Sequence, residues 1–330
     1  MLKVWITAVE EVDPRVSKVF EGLAEIKLGR RGEGYRGKEL IEMLQDVDAA
    51  IITSRARFSR EALLSAPKLK VVCKEGAKPE PELCDLKTCN EKGIVLTYSK
   101  GSNKISVAEH VIAVMLSLAK TLNKKQRWIK GGGWKSDEII GIELSSKTLG
   151  IIGFGLVGSA IAERLRNGWD VNILVYDPYV SREEIEGYGA KKVEKLDIIL
   201  NESDFITLNA ILTDETRGMI GKRELRLMKP TAYLINTARG ALIDEKALIE
   251  ALKEGCIAGA SLDVYEKEPP DKDNPLFKMG DNVIVTPHAA FNTYEAVERE
   301  RVWSAEEVAR VLRGEKPKWA INPEVLKRDT

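Results

Sequence analysis

Three side chains able to handle a proton or a carboxylate stand where short apolar runs stop. Ala232 to Asn236 leads through Thr237 and Ala238 to Arg239-Gly240. Ala258 to Val264 leads through Tyr265 to Glu266-Lys267-Glu268-Pro269, and Asn282 to Thr286 leads through Pro287 to His288. Such runs read as strands, and in an open α/β sheet ligands gather at the carboxyl ends of strands. A planar guanidinium, a carboxylate and an imidazole are therefore expected at one sheet edge. Histidine exchanges a proton near neutral pH, and a carboxylate on its other ring nitrogen orients the ring and favours its charged form. Arginine grips a substrate carboxylate through two parallel donors. Together they suit hydride transfer to a carbonyl beside a carboxylate, with His288 as acid and base. Spacing alone leaves Glu266 and Glu268 equivalent. His110, the other histidine, lies in a helical stretch and is assigned to packing or to a supporting role behind the site.

A glycine fingerprint supplies a place for the hydride carrier. Gly153-Phe154-Gly155-Leu156-Val157-Gly158 follows the run Thr148 to Ile152 directly and precedes a helix expected over Ser159 to Arg166. The first glycine permits the tight turn, the second lets the backbone approach a pyrophosphate, and the third allows helix and strand to pack closely. Amides at the helix N-terminus then meet phosphate oxygens. The next strand, Asn172 to Tyr176, ends at Asp177, 24 positions after Gly153. A carboxylate there accepts from ribose hydroxyls and repels a 2′-phosphate, which points to NAD rather than NADP, with nearby Arg182 softening that exclusion.

The positioning elements follow from the alternation of short β-rich runs with amphipathic stretches, the pattern of βαβ units around parallel sheets. Strands are expected over Lys3 to Thr7, Ala24 to Leu28, Ala49 to Thr53, Leu69 to Cys73 and Ile94 to Thr97, then over the runs above and Phe205 to Leu208. Helices are expected over Lys38 to Gln45, Arg60 to Ser65 and Tyr294 to Leu312, and a capping box at Ser106-Val107-Ala108-Glu109 opens a long apolar one. Gly131-Gly132-Gly133 reads as a plain loop, since no Lys-Ser/Thr follows it. At 330 residues the chain holds two domains: 1–103 with 292–330, and an inserted 104–291. Two crossings between them make a hinge suited to closing on a ligand.

Composition narrows the classes. With 51 basic and 51 acidic residues there is no surplus charge for a polyanion, so no nucleic acid is expected. The longest apolar run, Val111 to Ala119, is too short to span a bilayer, so no membrane is expected. The N-terminus reads as a strand rather than a signal sequence, which implies a cytoplasmic protein. Cys73, Cys84, Cys89 and Cys256 contain no C-x-x-C pair, so neither a metal site nor a disulfide framework is expected.

In these motifs and their order the chain resembles the D-isomer-specific 2-hydroxyacid dehydrogenases. The resemblance runs through Ser106-Val107-Ala108-Glu109-His110, the glycine fingerprint, Leu212-Thr213-Asp214-Glu215-Thr216, Ile235 to Gly240, Asp263 to Pro269 and Thr286-Pro287-His288. It implies two doubly wound parallel-sheet α/β domains, a flavodoxin-like substrate domain and an inserted NAD-binding Rossmann domain. It implies that Arg239, Glu268 and His288 are catalytic, which selects Glu268 over Glu266. It also implies that Gly153, Gly155, Leu156, Val157, Gly158, Asp177, Thr237, Ala238 and Asp263 lie along NAD. The expected activity interconverts a 2-oxo acid and a D-2-hydroxy acid, and a homodimer is expected, with the helix from Ser106 contributing. A second reading of the same fold is an NAD(H)-sensing interaction protein without turnover, like the related transcriptional corepressors; the intact Arg, Glu and His favour the enzyme. Two loops depart from the family pattern. Asn209-Ala210-Ile211-Leu212-Thr213 stands where His-x-Pro-Leu-Thr is usual, and Gly76-Ala77-Lys78 stands where a Gly-x-Gly backbone usually meets the substrate carboxylate. Gly76, Ala77 and Lys78 are therefore the expected substrate contacts, and Lys78, Arg55 and Arg57 leave open a larger or doubly anionic substrate.

Overall fold

A computed structural model describes residues 1–7, 11–30, 34–53 and 56–327. Arg55 lies outside the described residues. The chain divides into two compact units, Met1–Asn103 with Thr293–Thr330, and Lys104–Asn292.

The first unit runs β1 (Leu2–Ile6), α1 (Pro14–Phe20), β2 (Ala24–Leu28), α2 (Gly37–Leu44), β3 (Ala49–Ile52), α3 (Arg60–Leu64), β4 (Val71–Lys74), α4 (Leu86–Lys92) and β5 (Val95–Tyr98). The second runs α5 (Lys104–Ala119), α6 (Leu122–Lys130), β6 (Thr148–Ile152), α7 (Leu156–Leu165), β7 (Asn172–Tyr176), α8 (Arg182–Gly187), β8 (Lys191–Lys192) and α9 (Leu196–Glu202). It continues through β9 (Phe205–Leu208), α10 (Lys222–Leu227), β10 (Tyr233–Asn236), α11 (Glu245–Glu254), β11 (Gly259–Leu262) and β12 (Val283–Val285). The last helix, α12 (Tyr294–Leu312), returns to the first unit.

Both sheets are parallel, in the orders β2-β1-β3-β4-β5 and β12-β11-β10-β9-β6-β7-β8. A parallel sheet covered by helices on both faces needs strands apolar on both faces, which is why β6 reads Thr-Leu-Gly-Ile-Ile without alternation. Its Leu149 and Ile151 pack on one side with Phe154, Ile173 and Phe205, while Ile152 packs on the other with Ile206, Leu208 and Leu234. Strand β3 behaves alike in the first unit, Ile52 joining Trp5 and Val72 while Ile51 joins Val4 and Val71. Each fully buried side chain of this kind contributes about 1.5–3 kcal/mol.

Local signals misplaced two helix starts. Ser106 does not cap α5; the helix opens at Lys104 and Ser106 is buried inside it, because neither Lys104 nor Ile105 breaks a helix. Helix α7 opens at Leu156 rather than Ser159, directly on the glycine turn. The expectations also omitted α1, which Asp13 caps with Pro14 at its first position, and α4, which Asp85 caps through Thr88 N at 2.9 Å and Gly93 ends at φ +72°. No single helix among the described residues is long and apolar enough to cross a membrane.

At the end of β4 one half-buried acid couples the first unit to pH. Burial pushes the Glu75 carboxyl from 4.5 up to about 6, against the Arg301 guanidinium 3.9 Å away, which pulls it down. The folded chain thus keeps a proton that the unfolded chain has released, so this contribution to stability is full below pH 4.5 and lost as pH rises through 6. Glu75→Gln is expected to remove about 2 kcal/mol of pH dependence across that window. Urea unfolding at a series of pH values reads it, and an unaltered pH profile would refute the assignment.

Candidate active site

Three neighbouring strands, β10, β11 and β12, carry the site at their carboxyl ends. The imidazole and its carboxylate meet there: His288 Nδ1 lies 2.8 Å from Glu268 Oε2, with both side chains partly exposed. The other oxygen, Oε1, accepts from Tyr265 N at 3.1 Å, so the carboxylate is held from its own segment. Glu266, its equal by spacing, is exposed and its backbone N donates to Glu245. Burial raises the Tyr265 phenol to about 12, which keeps it a donor, and it donates to the Thr286 carbonyl at 2.9 Å.

Arg239 stands at the end of β10, where its Nη1 donates to the Ala238 carbonyl at 2.8 Å. Its loop is shaped by Asn236, fully buried, whose Nδ2 donates to Arg239 O at 2.8 Å and whose Oδ1 accepts from Ala238 N at 3.0 Å. Gly240 then presses on the next strand's exit: a Cβ there would lie 1.9 Å from Tyr265 C. The Arg239 turn and the Tyr265–Glu268 segment are thus in backbone contact. Sequence reasoning missed Asn236, Tyr265 and Gly240; the one available signal was that a glycine follows the arginine.

Asp263 is almost fully buried. It accepts from Thr286 Oγ1 at 2.5 Å and from Ala289 N and Ala290 N at 2.9 Å each. His110 sits close enough to feel this charge. Burial lowers its imidazole and Asp263 partly offsets that, while its buried Nε2 has no hydrogen-bond partner.

The glycine turn lies at β6, beside the point where the strand order reverses between β6 and β9. Gly153 has φ +88° and a Cβ on it would lie 2.6 Å from Ala210 N, so the turn is packed against the loop after β9. A Cβ on Gly158 would meet Gly153 O at 2.4 Å, whereas one on Gly155 would meet nothing within 4 Å. Leu156 and Val157 are the first two residues of α7, and no side chain caps that turn. Asp177 accepts from Phe154 N at 2.7 Å, Tyr179 N at 2.8 Å and Val180 N at 3.2 Å, which ties the second strand's carboxylate to the turn. Arg182 is engaged by Glu194 at 2.6 Å and Glu186 at 3.7 Å. Two buried polar atoms along this edge have no partner, Asn209 Oδ1 and Thr237 Oγ1. Open space over Gly155, uncapped amides and two unpartnered polar atoms suit a dinucleotide.

In the first unit, Gly76 is buried at φ +131°, its N donating to Ser99 Oγ at 3.0 Å, with Ala77 half-buried and Lys78 exposed in the same turn. Lys74 underlies it and pairs with Glu80 at 2.9 Å. Arg57 is exposed.

A doubly wound domain with this turn and an imidazole–carboxylate pair at the same edge defines a dinucleotide-dependent oxidoreductase class. The family described as "D-isomer specific 2-hydroxyacid dehydrogenase, NAD binding domain" matches residues 112–290. The chain is 38% identical over 322 residues to a D-3-phosphoglycerate dehydrogenase of Methanocaldococcus jannaschii, covering 98% of this chain and 60% of that protein. It is 37% identical over 331 residues to a glyoxylate reductase of Thermococcus litoralis, covering 98% of each. The structure matches a D-lactate dehydrogenase with NAD+ from Lactobacillus jensenii at TM-score 0.84 and 26% identity, over 97% of this chain and 99% of that one. The chain belongs to the D-isomer-specific 2-hydroxyacid dehydrogenase family, and its residues 112–290 are that family's NAD-binding domain.

Proposed function

We propose that this chain is an NAD-dependent dehydrogenase or reductase that interconverts a 2-oxo acid and a D-2-hydroxy acid. The observation that carries the reading is the 2.8 Å contact of His288 Nδ1 with Glu268 Oε2 at the sheet edge that also bears Arg239. An ionised carboxylate only accepts, so Glu268 keeps the proton on Nδ1 and leaves Nε2 to exchange one with the substrate oxygen. His288 gives that proton in reduction and takes it in oxidation, and Glu268 stabilises the ring when it is charged. Arg239 grips the substrate carboxylate through its fork of donors. Gly153, Gly155, Leu156, Val157 and Gly158 hold the pyrophosphate, Asp177 the adenosine ribose, and Thr237, Ala238 and Asp263 line the rest. When bound, NAD supplies or accepts the hydride. Gly76, Ala77 and Lys78 meet the substrate in this reading.

The protein acts as a homodimer in this reading. Helix α5 is packed against α7, so the exposed apolar residues further on, Trp128, Ile129, Trp134 and Ile140, are the surface that supports it. The test mixes the protein with NADH and glyoxylate, hydroxypyruvate, phosphohydroxypyruvate and sugar-derived 2-oxo acids in turn, following NADH absorbance, and sediments the same preparation. Turnover of at least one acid by a dimer is expected. Cofactor binding without turnover of any acid would replace the enzyme by the NAD(H)-sensing alternative, and a monomer would remove the homodimer.

A further inference from the structure

His288 has φ +54°, in the left-handed region that a non-glycine residue seldom occupies. Such a conformation persists only where its surroundings over-determine it, and it accumulates where geometry serves function. What surrounds it is Asp263. Its three donors are the hydroxyl of Thr286, two residues before His288, and the amides of Ala289 and Ala290, directly after it. Those bonds bracket the strained residue on both sides. The carboxylate is buried, and hydrogen bonds to an ionised acceptor are short and strong. Its own backbone is anchored, Asp263 N donating to Asn236 O at 2.9 Å, and Thr286 N donates to Leu262 O at 2.9 Å. The chain therefore turns at His288 over one buried charge, with Tyr265 OH holding the Thr286 carbonyl as a further tie.

We propose that Asp263 is the positioning residue of His288: it clamps residues 286 to 290 in the left-handed turn that sets the imidazole against Glu268. This deepens the dehydrogenase reading and rests on it for the meaning of His288. Lining the cofactor, the role implied for Asp263 by resemblance, does not require any of the three bonds described here. The two roles separate experimentally.

The chain has only two histidines, so spectra of protein labelled with ¹⁵N at the imidazoles contain His110 and His288 alone. In the cofactor-free protein, Thr286→Val deletes one clamp bond and leaves Asp263 in place; Asp263→Asn turns one of the two accepting oxygens into an amide donor, set against the amide of residue 290 or, with the group flipped, against the donors of residues 286 and 289. Both are expected to displace the His288 Nδ1–H resonance from that of the Glu268-bonded ring and to lower kcat, Asp263→Asn by about 100-fold, the scale of an ångström of misplacement. Thr286→Ser keeps the hydroxyl and is expected to restore the wild-type spectrum. NADH affinity, read by fluorescence titration, stays at the wild-type value in Thr286→Val. An unaltered His288 resonance in Thr286→Val would overturn the clamp, as would a loss confined to NADH affinity. If Asp263→Asn does not fold, Thr286→Val and Thr286→Ser decide alone. Failure of the dehydrogenase reading shows itself separately, as wild-type protein that turns over none of the 2-oxo acids while the spectral response persists.

Discussion

Replacing His288 by alanine is expected to lower kcat by about 10² to 10⁴-fold, the range that positioned acid–base catalysis supplies, while NADH still binds. The side chain is 44% exposed and contributes to no core cluster, so its removal leaves the fold intact. What disappears is the nitrogen that carries the proton to and from the substrate oxygen. Glu268→Gln is the sharper companion, because the amide keeps the size of the side chain and removes the charge that fixes the ring. It is expected to lower kcat less than His288→Ala, and the double variant to do little more than His288→Ala alone, since the carboxylate acts through the ring. Steady-state kinetics with the best 2-oxo acid, set beside NADH titration and thermal unfolding, make the measurement. Near-normal turnover in His288→Ala would refute the role assigned to this residue.

The second large effect is expected at Gly240→Ala. The added methyl would lie 1.9 Å from Tyr265 C, 2.0 Å from Tyr265 O and 2.4 Å from Glu266 N. All three are backbone atoms, which cannot rotate aside, so either the Arg239 turn or the exit of β11 must move bodily. Overpacking of this kind costs about 3 kcal/mol or more. It also displaces Arg239 relative to Glu268 and His288, so kcat/KM is expected to fall by about 100-fold beyond any loss of folded protein. Gly187→Ala is the control: a Cβ there meets nothing within 4 Å, and neither stability nor turnover is expected to change. Thermal unfolding and kinetics on both variants decide, and a Gly240→Ala protein with wild-type melting and wild-type kcat/KM would show that this close approach does not constrain the site.

Much of the molecule was legible along the chain. β6, β7, β9 and α12 fall on the residues expected for them, because uninterrupted apolar runs and helical periodicity are properties of adjacent residues. The fingerprint was legible for the same reason, a turn, a helix start and a carboxylate at a fixed remove. Helix starts were less so: the Ser106 box is a valid local signal that lost to a helix already running from Lys104. The very short β8, Lys191–Lys192, has no apolar run to announce it and exists through its pairing with Leu174 and Val175.

By itself the sequence determined β10, β11 and β12 to within about two residues at each end, and therefore that Arg239, a glutamate of the 266–268 pair and His288 all stand at strand ends. Spacing left Glu266 and Glu268 equivalent and the resemblance chose Glu268; the tertiary structure sets Glu268 against the ring, and it alone showed that Asp263 bonds to the turn on which His288 sits. The physical reason is the parallel sheet. Its neighbouring strands are joined by long crossovers, so groups 20 to 27 residues apart meet only after β10, β11 and β12 lie side by side.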